Sequence, residues 1–97
     1  MKVLDGHTLR LTGPLNLNTV KALFDDGLPQ GQPSLVVDLS AVEAVDSAAV
    51  SLMLVWLREA QRRNIALCFA GIPENLMSLA RLYGVADVLP LCGDAPA

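Results

Sequence analysis

Residues 35–57 read LVVDLSAVEAVDSAAVSLMLVWL, and the fold of the chain turns on how they are read. Leu35-Val36-Val37 is a short apolar run closed by Asp38-Leu39-Ser40. An unalternating run bounded by turn residues predicts a strand over 35–39 that is buried on both faces. A loop over 40–45 follows. Asp46 then supplies an N-cap, and apolar residues recurring at helical spacing predict a helix over 47–62. This order brings a strand, a short loop and the amide-rich start of a helix to one corner. Ser47 is placed where negative charge is favoured.

The rest of the chain arranges itself around that unit. Residues 7–12 alternate polar and apolar, so Leu9 and Leu11 face inward from a half-buried strand. Val3 and Leu4 form a preceding strand across an Asp5-Gly6 turn, and Gly13-Pro14 ends the pair because proline has no amide to donate. Asn16 or Asn18 caps a short helix carrying Val20, Leu23 and Phe24, with Gly27 as its stop. A loop over 28–33 leads into the central strand. After the long helix, Asn64 marks a break and residues 65–70 read as a further strand ended by Gly71. Pro73 opens a last helix with Leu76, Leu79, Ala80 and Tyr83 on one row, stopped by Gly84. Residues 88–91 add a last short strand, and 93–97 read as a frayed tail. The expected fold is α/β: an open sandwich with a four- to five-stranded, mostly parallel sheet and about three helices. The whole chain, 1–97, makes one domain.

Composition removes several classes of function. The chain is 53 % hydrophobic yet has only four aromatic residues. Its longest unbroken apolar run, 52–57, is far short of the 18 or so residues that a membrane span needs, roughly. Polar residues follow Met1 at once, which is unlike a secretory signal, so a cytoplasmic location is expected. The formal charge is −3. The one basic cluster, Arg58, Arg62 and Arg63, falls at a helix end where cations complement the dipole, and no nucleic-acid partner is expected. Cys68 and Cys92 form no C-x-x-C pair, so no metal site is expected; Cys68 reads as a small buried hydrophobe, and the two thiols fit a reducing compartment.

Catalytic chemistry is also missing from the pattern. His7 is the sole histidine, and no spacing joins it to Ser47 in a triad. No phosphate-cradling glycine loop occurs, so neither a cofactor nor a small-molecule substrate is expected. Asp38 and Asp46 are explained by structure: Asp38 accepts from loop amides and Asp46 caps the helix. The helix over 47–62 is unusual in another way. At about 100° per residue, Ala49, Met53, Trp56, Leu57 and Ala60 make its core face. Ser47, Ser51, Leu54, Val55, Arg58 and Arg62 share the opposite side, whose first half, up to Val55, has no charge. Either neighbouring loops cover that ridge, or it is a docking face for another protein. Asp46, Ser47, Ser51, Leu54, Val55 and Arg58 are accordingly the candidate partner-binding residues, with no catalytic residue among them.

The run V-V-D-L-S-x-V-x-x-V-D-S, from Val36 to Ser47, resembles the signature of STAS domains, the sulfate-transporter and anti-sigma-factor-antagonist family. Leu79-Ala80-Arg81-Leu82-Tyr83-Gly84 followed by Ala86-Asp87-Val88-Leu89-Pro90 resembles the branch that serves as a small subunit of a lipid-transporting ABC complex. The likeness covers nearly the whole chain. It implies a cytoplasmic subunit, peripheral to the inner membrane, that binds the transporter's ATPase and through it a permease, in a system maintaining outer-membrane lipid asymmetry. In the antagonist branch the corner reads D-S-S-G and its second serine accepts phosphate. Here it reads Asp46-Ser47-Ala48-Ala49, so Ala48 stands at the phosphoacceptor position; an anti-sigma-factor-antagonist switch would need Ser47, the candidate phosphoacceptor, or Ser51 to take phosphate from a kinase partner. Pro14 also stands where that family usually has an acidic residue after the early glycine.

Overall fold

The computed structural model describes residues 2–92. Their elements run β1 (Lys2–Asp5), β2 (Thr8–Leu15), α1 (Leu17–Asp26), β3 (Ser34–Val45), α2 (Ser47–Arg62), β4 (Ala66–Ala70) and α3 (Glu74–Leu82), ending in a 3₁₀ turn (Ala86–Val88). One four-stranded sheet forms in chain order. β1 is antiparallel to β2, while β2–β3 and β3–β4 are parallel, each joined by a helical crossover. The α/β class and the mixed, mostly parallel sheet are as the sequence implies.

Apolar spacing explains the single core. Leu9, Leu11, Leu15, Leu35, Val37, Leu39, Val42, Leu67 and Phe69 project to one face of the sheet and are buried. They meet Val20 and Leu23 of α1, Ala49, Val50, Leu52, Met53, Trp56 and Ala60 of α2, and Leu76 and Ala80 of α3. All three helices therefore lie over one face. The other face carries Arg10, Val36, Asp38, Ser40 and Cys68 and is at least partly open to solvent. This corrects the expectation that residues 35–39 are covered on both sides: Leu35, Val37 and Leu39 are buried, whereas Val36 and Asp38 between them are half-buried. An apolar residue on the open face, Val36, is what made the run look unalternating.

Four further boundaries differ from the sequence reading. β3 continues through the expected loop at 40–45, because Ala41, Val42 and Val45 find ladder partners in Thr12, Gly13 and Leu15. β2 likewise runs past Gly13-Pro14. Register shifts between Arg10 and Thr12 and between Gly13 and Leu15 absorb the missing proline donor, with Gly13 at φ 81°. The hairpin turn is Gly6-His7, since Asp5 still pairs with Thr8. The expected strand at 88–91 contracts to the 3₁₀ turn and one parallel bridge, Phe69 to Leu91. The expected frayed tail at 93–97 lies outside the described residues.

The cysteines differ as well. Cys68 and Cys92 are joined by a disulfide, with their Cα atoms 4.9 Å apart. Twenty-four positions separate them in sequence, but α3 and the 3₁₀ turn carry the chain out and back beside β4. Cys68 is on the open face and half-buried, not a core hydrophobe.

On that open face Asp38 accepts from the Ser40 amide (2.9 Å) and from Arg10 Nε (3.2 Å). The hydrogen bonds from Ser40, with a smaller contribution from Arg10, hold its carboxyl below the usual carboxylate range. A carboxylate depressed in the folded state stabilises above its unfolded pKa and loses that contribution as pH falls through the folded pKa. Asp38→Asn should therefore cost about 1 kcal/mol at pH 7. Below the usual carboxylate range, urea titrations of the two proteins should converge.

Gly71 closes the crossover from β4 to α3 at φ 65°. A Cβ there would stand 2.7 Å from the Cβ of Ser40 and 3.1 Å from its backbone nitrogen, in a strand that cannot retreat. Both the left-handed conformation and the contact oppose a side chain. Gly71→Ala should cost about 1–3 kcal/mol, read as a lowered urea midpoint with unchanged slope.

Candidate docking face

The corner begins where the β2–β3 ladder ends. Asp46 is extended (φ −134°, ψ −169°), and its amide donates to Leu15 O at 3.2 Å, the last bond between the two strands. Its side chain then serves two helices. Oδ1 accepts from the Ala48 amide at 2.8 Å, capping α2, and Oδ2 accepts from the Leu17 amide at 3.3 Å, at the first residue of α1. Asn16 completes the start of α1: its side chain accepts from the Asn18 and Thr19 amides, and its backbone amide donates to Thr19 Oγ1. So Asn16, not Asn18, is the cap, and the two helix starts are tied together by one carboxylate.

From this point α2 presents its outer face. Ser47, Ser51, Val55 and Arg58 are exposed and Leu54 is half-buried, along a line running down the helix. Val55 remains 47 % exposed. Thus no loop among the described residues roofs the first half of this face. A groove of about 340 Å³ lies along it, lined by Ser47, Val50, Ser51, Leu54 and Tyr83. Neither serine hydroxyl has a hydrogen-bond partner among the described residues.

Two lining residues were not legible as such. Val50 is buried beneath the groove and forms its floor. Tyr83 belongs by spacing to the inner row of α3, yet it is 51 % exposed, because α3 ends at Leu82 and Tyr83 is its cap. The adjacent Gly84 stop, φ 73°, was the available sign that this position falls outside the helical row. Leu57, expected in the core face, is only half-buried, while Val50 and Leu52 are buried in addition to Ala49, Met53, Trp56 and Ala60.

The arginines separate by role. Arg62 pairs with Glu59. Arg63 pairs with Glu59 and donates to Pro29 O (3.0 Å) and Leu28 O (3.4 Å), fastening the loop after α1. Both hold Glu59 below its ordinary carboxyl range, Arg62 more strongly. Arg58 has no ion pair among the described residues, whereas the other six cations of the chain each have one. Far from the groove, His7 Nδ1 lies 3.1 Å from Gln32 Oε1, so it is not brought to Ser47. Among the described residues no cluster of three or more His, Cys, Asp or Glu side chains could hold a metal ion.

The face combines a shallow apolar groove with two hydroxyls and one cation that have no partner among the described residues. The family model described as "Mlab, STAS domain" matches residues 2–91. The chain belongs to the STAS domain family. It is 30 % identical over 86 residues to the intermembrane phospholipid transport system binding protein MlaB of Escherichia coli (strain K12), covering 88 % of this chain and 89 % of that protein. The MlaB of Shigella flexneri matches to the same extent. Within this STAS domain, Ala48 stands at the place of the second serine of the D-S-S-G corner, half-buried with its amide held by Asp46, while Ser47 is exposed at the helix mouth.

Because Asp46 caps one helix and is bonded to the start of another, its loss should exceed that of an ordinary surface cap. Asp46→Ala should destabilise by about 1–2 kcal/mol in denaturant unfolding, and Asp46→Asn, which keeps an acceptor, by clearly less.

Proposed function

We propose that this chain is a non-catalytic subunit of an intermembrane phospholipid transport system. In this reading it binds the system's ABC ATPase through the outer face of α2, and through the ATPase associates with a permease. It works on the cytoplasmic side of the inner membrane, held there by its partners, and supports assembly or activity of the transporter. None of the helices among the described residues is long and apolar enough to cross a membrane. The observation that carries the reading is the uncovered, uncharged first half of α2 in a chain that matches MlaB over most of its length.

The physical case rests on what a solvated helix face ordinarily looks like. A helix exposed for its own sake carries charges opposite its apolar stripe, and this one carries Ser47, Ser51, Leu54 and Val55. Burying Leu54 and Val55 against a partner removes apolar surface from water, at about 25 cal/mol per Å² before the costs of association. The two hydroxyls are small enough to enter such an interface and find acceptors there. Arg58, at the edge of the apolar zone, suits a rim contact with a carboxylate of the partner, which favours rate and orientation more than affinity.

The test separates folding from docking. Ser47→Glu should melt at or slightly above the wild-type temperature, because a negative charge in the first turn is favourable by about 0.3–1 kcal/mol. In titration calorimetry against the transporter's purified ATPase, the same variant should bind at least about tenfold more weakly, since an uncompensated charge enters an apolar contact. Leu54→Ala should weaken binding to a similar degree. Wild-type affinity in both variants would refute the assigned face.

A further inference from the structure

β4 is the last strand of the sheet, and among the described residues its outer edge is covered only by the returning chain. After the 3₁₀ turn, the Phe69 amide donates to Pro90 O at 2.8 Å and the Cys92 amide donates to Phe69 O at 2.9 Å. These two bonds make the Phe69–Leu91 bridge and satisfy both backbone groups of Phe69 on that edge. Apolar anchoring does not reinforce them. Leu89 is the last buried side chain among the described residues, and Leu91, in the middle of the segment, is 54 % exposed. What fastens residues 90–92 is the disulfide from Cys92 to Cys68, and both cysteines are partly open to solvent. Beside this contact lies a groove of about 460 Å³, bounded by Phe69, Gly71, Ile72, Met77, Leu91 and Cys92.

We propose that Cys68 and Cys92 form a redox-sensitive clip that holds residues 90–92 against the edge of β4, and that reduction releases the segment while leaving the rest of the fold in place. Two short hydrogen bonds at a wet edge do not hold a three-residue segment by themselves, whereas α3 keeps its position through buried Leu76 and Ala80. Release frees the Phe69 N–H and C=O and widens the adjoining groove, turning a closed strand edge into one open to pairing. The docking face on α2 is not required for this device.

The chemistry is thiol–disulfide exchange with a cellular thiol of the glutathione or dithiol class. A reductant thiolate attacks one of the two sulfurs, the Cys68–Cys92 bond breaks, and a mixed disulfide forms with one cysteine while the other leaves as thiolate. A second reductant thiolate attacks the mixed disulfide and expels the remaining cysteine. The protein gains two electrons and two protons, and the reductant departs as its own disulfide. Closure is the reverse sequence, with that disulfide as oxidant. An accessible pair exchanges readily; a pair sealed in a core does not.

The full-length chain tests this directly, equilibrated in glutathione buffers of graded reduced-to-oxidised ratio and followed by thiol titration and hydrogen exchange. Two thiols per chain should appear as the ratio rises and disappear as it falls, without denaturant. In the reduced protein the Phe69 amide should exchange at least about tenfold faster, with peptides from the centre of β3 unchanged. Cys92→Ser should behave like the reduced protein in every buffer. Any one of three results overturns the proposal: two thiols persisting under oxidised glutathione, a disulfide surviving excess reduced glutathione, or a Phe69 amide equally protected in both states and in Cys92→Ser.

Discussion

One carboxylate ties two helix starts to the end of a strand. Asp46 ends the β2–β3 ladder with its backbone, caps α2 with one oxygen and meets the first amide of α1 with the other. Helix starts leave amides without internal partners, and two such starts side by side also bring two positive dipole ends close together. A shared anion answers both problems. Because the same residue is the last link to the sheet, the direction of α2 is set by the strands and not by the helix alone. The outer face of α2 inherits its orientation from that link.

The ridge on α2 is legible only against what lies beneath it. Val50, Leu52, Met53 and Trp56 fill the core side of the helix, and Leu54 and Val55 rise on the other. The helix is apolar beyond its core stripe, and no loop among the described residues covers the excess: the loop after α1 is pinned by Arg63 at the far end of α2. Tyr83 from the end of α3 supplies the opposite wall of the groove. The groove therefore depends on the start of α2 and the end of α3 together and not on one helix alone.

The sheet is finished differently at its two margins. Helices cover one face, while the other is kept polar by the Arg10–Asp38 pair and Ser40. At the β4 margin the chain itself returns and covers the edge for one residue, with a covalent bond beside it. An edge strand left open offers unpaired amides and carbonyls to any passing strand, so how β4 is closed bears on what the protein can associate with.

Much of this was written locally. The alternation of Leu9 and Leu11, the helical spacing from Ala49 to Ala60, Asp46 as cap, Asn64 at φ 57° as the break after α2 and Gly27 after α1 are each determined by residues within one turn of one another, so the sequence alone placed the three helices, the four strands they join and the candidate ridge. What the sequence alone did not determine depends on partners distant in the chain. The length of β3 was decided by β2 lying alongside it, the one-sidedness of the sheet by all three helices choosing the same face, and the exposure of Tyr83 by where α3 stops against α2. The union of Cys68 with Cys92 belongs to the same class, since no periodicity encodes that a segment twenty-four residues on comes back beside its own strand. Local rules act through neighbours in sequence, and these features exist only once distant segments share a surface.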